Sequence, residues 1–168
     1  MRKVILHLAA RYGTKVVDTS SEVTDSGQIG HWAAMPTHRI LVSDKKEQPK
    51  LIRQAYANHS PMFIAVDEIG HHGDADVVAS TVDREAGMVA TCHGETLTNV
   101  VNTPTFWSVM GAMREQGLTR QRMTEATFDV AVAVRGVGRF VSHDRMSQAV
   151  DEVLAGRSGR RGGRSAAR

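Results

Sequence analysis

The residues best placed to do chemistry lie in MFIAVDEIGHHGDAD, positions 62–76. Four apolar residues, Phe63 to Val66, run straight into Asp67 and Glu68. An acidic pair at the end of a buried strand is what magnesium-dependent phosphoryl transfer needs. The first carboxylate holds Mg2+, usually through a water, because that ion keeps most of its hydration shell. The second polarises the attacking water. The pattern alone is not specific, since many strands end in acids. His71, His72, Asp74 and Asp76 follow and raise a rival, a metal site. A metal needs ligands that converge at fixed distances. Adjacent histidines tend to point apart, and the two aspartates fall at a helix start, where acids complement the helix dipole. Helix capping is therefore the expectation for that acidic group.

Two further segments end in polar residues: Asp18-Thr19-Ser20, and Thr91-Cys92-His93. In open parallel sheets, ligands bind at the carboxyl ends of the strands. If these strands are neighbours, Asp18, Asp67, Glu68, Thr91 and His93 converge on one edge. His93 could sense a γ-phosphate or help place the water. Thr91 and His93 could equally be ordinary hydrogen-bonding residues. Cys92 and His93 are consecutive in a strand and face opposite ways, which argues against a thiol–imidazole pair.

The elements that would position these groups follow from periodicity. Residues 2–12 have Val4, Ile5, Leu8 and Ala9 at helical spacing, stopped by Gly13. KVVDTS (15–20) and RILVS (39–43) read as short strands, separated by a loop-like segment rich in Gly, Ser and Asp. KEQPKLIRQAYANHS (46–60) reads as a helix with Pro49 in its first turn. PMFIAVDE (61–68) is the central strand. A helix over 73–87, a strand over 88–94 and a helix in two pieces around Pro104 follow. Residues 128–134 and 138–144 form a hairpin about RGVG, and 146–156 close with a helix. Strands alternating with helices predict an α/β fold, a parallel sheet flanked by helices with a C-terminal β-hairpin.

With 168 residues the chain can form one compact domain. The net charge of +3 is uneven. Arg157, Arg160, Arg161, Arg164 and Arg168 crowd a Gly/Ser-rich tail without an acid; the remainder holds 16 cations against 18 acids. That tail, 157–168, is expected to be disordered and is a candidate for holding single-stranded nucleic acid by charge. One cysteine excludes an internal disulfide. No apolar run approaches the roughly 20 residues of a membrane span. The start MRKVILHLAARYG reads as an amphipathic helix, not a secretory signal.

Taken together in order, MFIAVDEIG, ATCHGETLTNVVNTPTFWSVMG and FDVAVAVRGVGRFVSHDRMSQAVDEVLAGR resemble the AAA-type P-loop ATPases of the stage III sporulation protein AA group and its plastid and cyanobacterial relatives. KVVDTSSEV also resembles the V-D-T-S-N-E-I segment of that group, and Thr103 here separates the Asn and Pro of its N-P motif. The resemblance covers about residues 3–157. It implies a P-loop NTPase-like sheet of the RecA/AAA type that binds ATP with Mg2+. Asp67 would be the Walker B acid near magnesium and Glu68 the catalytic glutamate. Thr91 and His93 would form a sensor-like strand end, and Asp18 and Glu22 would match acidic nucleotide-site positions. No G-x-x-x-x-G-K-[ST] occurs in these residues. The expectation is thus a truncated domain, 1–156, without the first strand and P-loop. It would be an ATP hydrolase if a Walker A segment complements it, and otherwise a non-catalytic nucleic-acid- or protein-binding module. A homo-oligomer in the cytoplasm, or in the plastid stroma of a photosynthetic eukaryote, completes the expectation.

Overall fold

The computed structural model describes residues 1–19, 37–58, 60–71, 73–82, 86–117 and 119–157. Glu22, His72, Arg160, Arg161, Arg164, Arg168 and most of the loop after the first strand lie outside them. The chain divides into two compact units, Met1–Cys92 and His93–Arg168.

The first unit is α/β. Its elements are α1 (Arg2–Ala9), β1 (Thr14–Asp18), β2 (Thr37–Leu41), α2 (Gln48–Ala57), β3 (Phe63–Val66), α3 (Asp74–Val82) and β4 (Gly87–Ala90). A turn of 3-10 helix, Lys45–Glu47, leads into α2. The four strands form one parallel sheet in the order β2-β1-β3-β4. Of the runs expected to be strands, β1 is buried on both faces throughout and β3 from Ile64 to Val66, whereas β2 is largely exposed and β4 half-buried. The strand expected over 88–94 ends at Ala90, so Cys92 and His93 lie beyond it, and Gly87 opens β4 instead of closing α3. Strand neighbours alternate faces, so Val16 and Ala65 share the face that Ile5 of α1 covers, while Val17, Ile64 and Val66 point to the other. Helices α2 and α3 pack on each other and on the sheet, through elements whose buried residues include Ile52, Ala55, Val77 and Val78.

Register sets the site. Val17 lies opposite Val66 and Val66 opposite Ala90. The residues that follow, Asp18, Asp67 and Thr91, therefore leave the sheet side by side. Asp67 N–H donates to the Val17 carbonyl at 2.9 Å, and Thr91 N–H to the Val66 carbonyl at 3.3 Å.

The second unit holds α4 (Leu97–Val101), β5 (Arg114–Gln116) paired antiparallel with β6 (Thr119–Gln121), β7 (Ala131–Gly136) paired antiparallel with β8 (Arg139–His143), and α5 (Met146–Leu154). Helices α4 and α5 pack together, bringing Val100, Val101, Ala149 and Val150 into this unit's core. The expected hairpin and closing helix are present. The expected second helical piece after Pro104 is not. Residues 104–106 make one 3-10 turn, and the chain then turns into β5. Gly111 at φ +100° and Ala112 at φ +48° lie in left-handed backbone that no right-handed helix can contain. A Cβ on Gly111 would strike the Thr124 carbonyl. That close approach lets the Gly111 carbonyl accept from both Met123 and Thr124 N–H groups.

Candidate functional site

Asp67, Glu68 and Thr91 meet at the carboxyl ends of the adjacent strands β3 and β4. The Thr91 hydroxyl donates to Asp67 Oδ1 at 3.4 Å, and the Glu68 N–H donates to Thr91 Oγ1 at 2.9 Å. The Ile69 N–H then reaches the Thr91 carbonyl at 2.7 Å. Thr19, one residue past β1, donates its hydroxyl to the Asp67 carbonyl at 3.3 Å. All three of Asp67, Glu68 and Thr91 are half-buried. One threonine therefore ties together the two acidic residues of the neighbouring strand end.

Glu68 sits at φ +56°. Left-handed backbone costs a residue with a Cβ roughly 1–2 kcal/mol. Its surroundings hold it there from both sides. Thr91 takes its N–H, and Gln48 Nε2, from the first turn of α2, donates to its carbonyl at 3.2 Å. The side chain pairs with Lys45 Nζ, 2.8 Å from Oε2. Strain maintained by several independent contacts is a common property of reactive positions.

The following turn is clamped by Asp74. Its Oδ2 accepts from Gly70 N–H at 3.1 Å and His71 N–H at 2.9 Å, and Gln48 Nε2 lies 3.5 Å away. Asp74 and Gln48 have no exposed surface. The helix start was legible, but Asp74 binds the loop before α3 instead of capping the helix's own first turn. Asp76 is exposed in that first turn, where the dipole favours it. Among the described residues, no group of three or more His, Cys, Asp and Glu could hold a metal. Gln48 Oε1 and Asp74 Oδ1 are both buried without a donor.

Asp18 also leaves the sheet at this edge, but it is wholly buried, and Arg39 Nη2 of β2 stands 3.2 Å from its Oδ2. His93 is exposed and opens the second unit. Lys15, the second residue of β1, is 5% exposed, and its burial pushes the ammonium pKa below its ordinary 10.5. Sequence reasoning missed Lys45, Gln48 and Arg39. Lys45 and Gln48 open the 3-10 turn and α2, and Arg39 lies mid-way along β2; none has a motif of its own, and only the tertiary fold brings them to Glu68 or Asp18.

No family model matches the chain, and no solved structure matches it. The chain is 28% identical over 173 residues to Protein SEEDLING PLASTID DEVELOPMENT 1 of Arabidopsis thaliana, covering 94% of this chain and 25% of that protein. It is 25% identical over 154 residues to the uncharacterized protein ycf45 of Porphyra purpurea, covering 84% of this chain and 27% of that one. A ycf45 protein of Cyanidium caldarium is 23% identical over 155 residues, 84% of this chain and 46% of its own length. The chain thus spans about a quarter to a half of the relatives it is similar to.

Proposed function

We propose that the first unit is the acidic half of a nucleotide-hydrolysing site of the P-loop, AAA-like type, acting on ATP with Mg2+. The observation that carries this reading is the triangle of Asp67, Glu68 and Thr91 at the carboxyl end of adjacent parallel strands. Asp67, half-buried at the strand end, is the carboxylate that would hold a magnesium ion through water, the mode that suits an ion which keeps most of its hydration shell. When bound, the ion would neutralise charge on the phosphate oxygens. The chain's own residues orient the rest. Thr91 aims the Asp67 carboxylate and fixes the Glu68 backbone, while Lys45 fixes the direction of the Glu68 carboxylate. Glu68 then takes the proton of the attacking water. The name of the Arabidopsis relative supports a plastid setting.

Binding of MgATP to the full chain, followed by titration calorimetry, tests the first part. Turnover with a Walker A segment supplied in trans tests the second. Glu68→Gln is expected to keep binding and lower turnover by about 10²-fold or more. Equal turnover in the two chains would sink the role of Glu68.

A second reading, a non-catalytic module for single-stranded nucleic acid, draws on the arginine cluster Arg157, Arg160, Arg161, Arg164 and Arg168. Replacing all five by serine should weaken oligonucleotide binding and flatten its salt dependence. An unchanged salt slope rejects it.

A further inference from the structure

The β7–β8 hairpin turns an apolar face outward. Val134 lies opposite Phe140 and Val132 opposite Ser142, so these side chains share one face. Val132 is 56% exposed, Val134 78% and Phe140 38%. At the tip Val137 is fully exposed between Gly136 and Gly138, whose φ values of +145° and +69° turn the chain. Arg135 and Arg139 flank the tip, both exposed, and Arg139 reaches back over Gly136. No acid occurs from 130 to 143. Residues 93–168 as a whole carry eleven arginines, no lysine and seven acids. A contiguous outward apolar face with a charged rim marks a docking surface.

The chemistry of that face selects among partners. Aliphatic side chains at a tip gain from entering an apolar phase, and arginines beside them gain from anionic headgroups. Single-stranded nucleic acid rewards aromatic stacking, and Phe140 is the only aromatic residue of the face. A second copy docking hairpin to hairpin would set arginine against arginine, which is unfavourable.

We propose that the hairpin docks the chain on an anionic lipid surface, with Val137 and Val134 entering the headgroup region and Arg135 and Arg139 pairing with lipid phosphates. This is attachment at the surface: no described helix is long and apolar enough to cross a membrane.

Sedimentation with phosphatidylcholine vesicles, with and without phosphatidylglycerol, at low and high salt, tests it on the full chain. The chain should pellet only with phosphatidylglycerol, and less in high salt. Arg135→Gln with Arg139→Gln should lower the partition coefficient about 30-fold, and Val137→Asp about tenfold or more. Thermal melts of both variants should match the parent, since the altered residues are exposed. A loss in these variants supports the proposal whether or not the tail adds to it. Pelleting that survives both hairpin variants overturns it, as does a loss confined to a chain with Arg160, Arg161, Arg164 and Arg168 changed to serine. So does failure of the parent to pellet while the double-glutamine variant loses oligothymidine binding, which would assign the face to nucleic acid.

Discussion

The turn after β3 and the turn after β7 are built in opposite ways. After β3, polar side chains are drawn inward and bind backbone: Asp74 holds Gly70 and His71, Gln48 holds the Glu68 carbonyl, and Thr91 holds the Glu68 N–H. After β7, apolar side chains point outward and two glycines make the turn. A turn fixed by side chains keeps a chosen geometry, even a strained one, because each contact is lost if it relaxes. A turn fixed by glycines leaves its side chains for a partner. The contrast fits the reactive position proposed for the first unit and the docking tip proposed for the second.

The comparison breaks most readily at Asp74. Asp74→Ala leaves two backbone donors without their buried acceptor and should destabilise the first unit by about 3 kcal/mol, read by urea unfolding. A loss below about 1 kcal/mol would show that the turn is not held by this carboxylate. Thr91→Val keeps the shape and removes the acceptor of the Glu68 N–H. It should cost about 1–2 kcal/mol. Glu68→Gly relieves left-handed backbone and should gain about 1 kcal/mol, offset by the partly exposed Lys45 pair of at most about 1 kcal/mol. A net loss well beyond that would mean Glu68 is not strained.

Smaller effects belong to the second unit. The hydrogen bond from Arg122 holds the Asp151 carboxyl below its ordinary 3.8. Its stabilisation is present above about pH 4 and is lost as pH falls through the depressed value. Because Asp151 is half-exposed, Asp151→Asn should change stability at neutral pH by less than about 1 kcal/mol, and the variant should lose less on acidification. Smallest of all, Val134→Ser and Val137→Ser should shift the melting free energy by no more than about 0.5 kcal/mol, since neither side chain is in a core. A larger loss would mean that the hairpin face is covered within the chain itself.

Local pattern was legible where one force dominated. The short apolar run Phe63–Val66, bounded by Pro61 and Gly70, reads as a buried strand and is one, and helix α2 starts within one residue of Pro49. The stretch after Pro104 misled because its composition suits a helix, while two left-handed residues decide against one. Asp67, Glu68 and Thr91 were named from sequence because acids and hydroxyls at strand ends stand out against apolar runs. Lys45 and Gln48 were not, because nothing local distinguishes them from surface residues near a helix start.

The amino-acid pattern alone determined that strands and helices make an α/β chain, that an acidic pair follows the apolar run 63–66, and that positive charge gathers toward the C-terminus. Those properties follow from hydrophobic period and composition, which act over a few residues. Only the tertiary structure decided that Thr91 bonds the residues of that pair, that Lys45 and Gln48 hold Glu68, that Asp18 is buried against Arg39, and that the hairpin's valines face outward. Those depend on strand order and register, which bring residues tens of positions apart within hydrogen-bond distance.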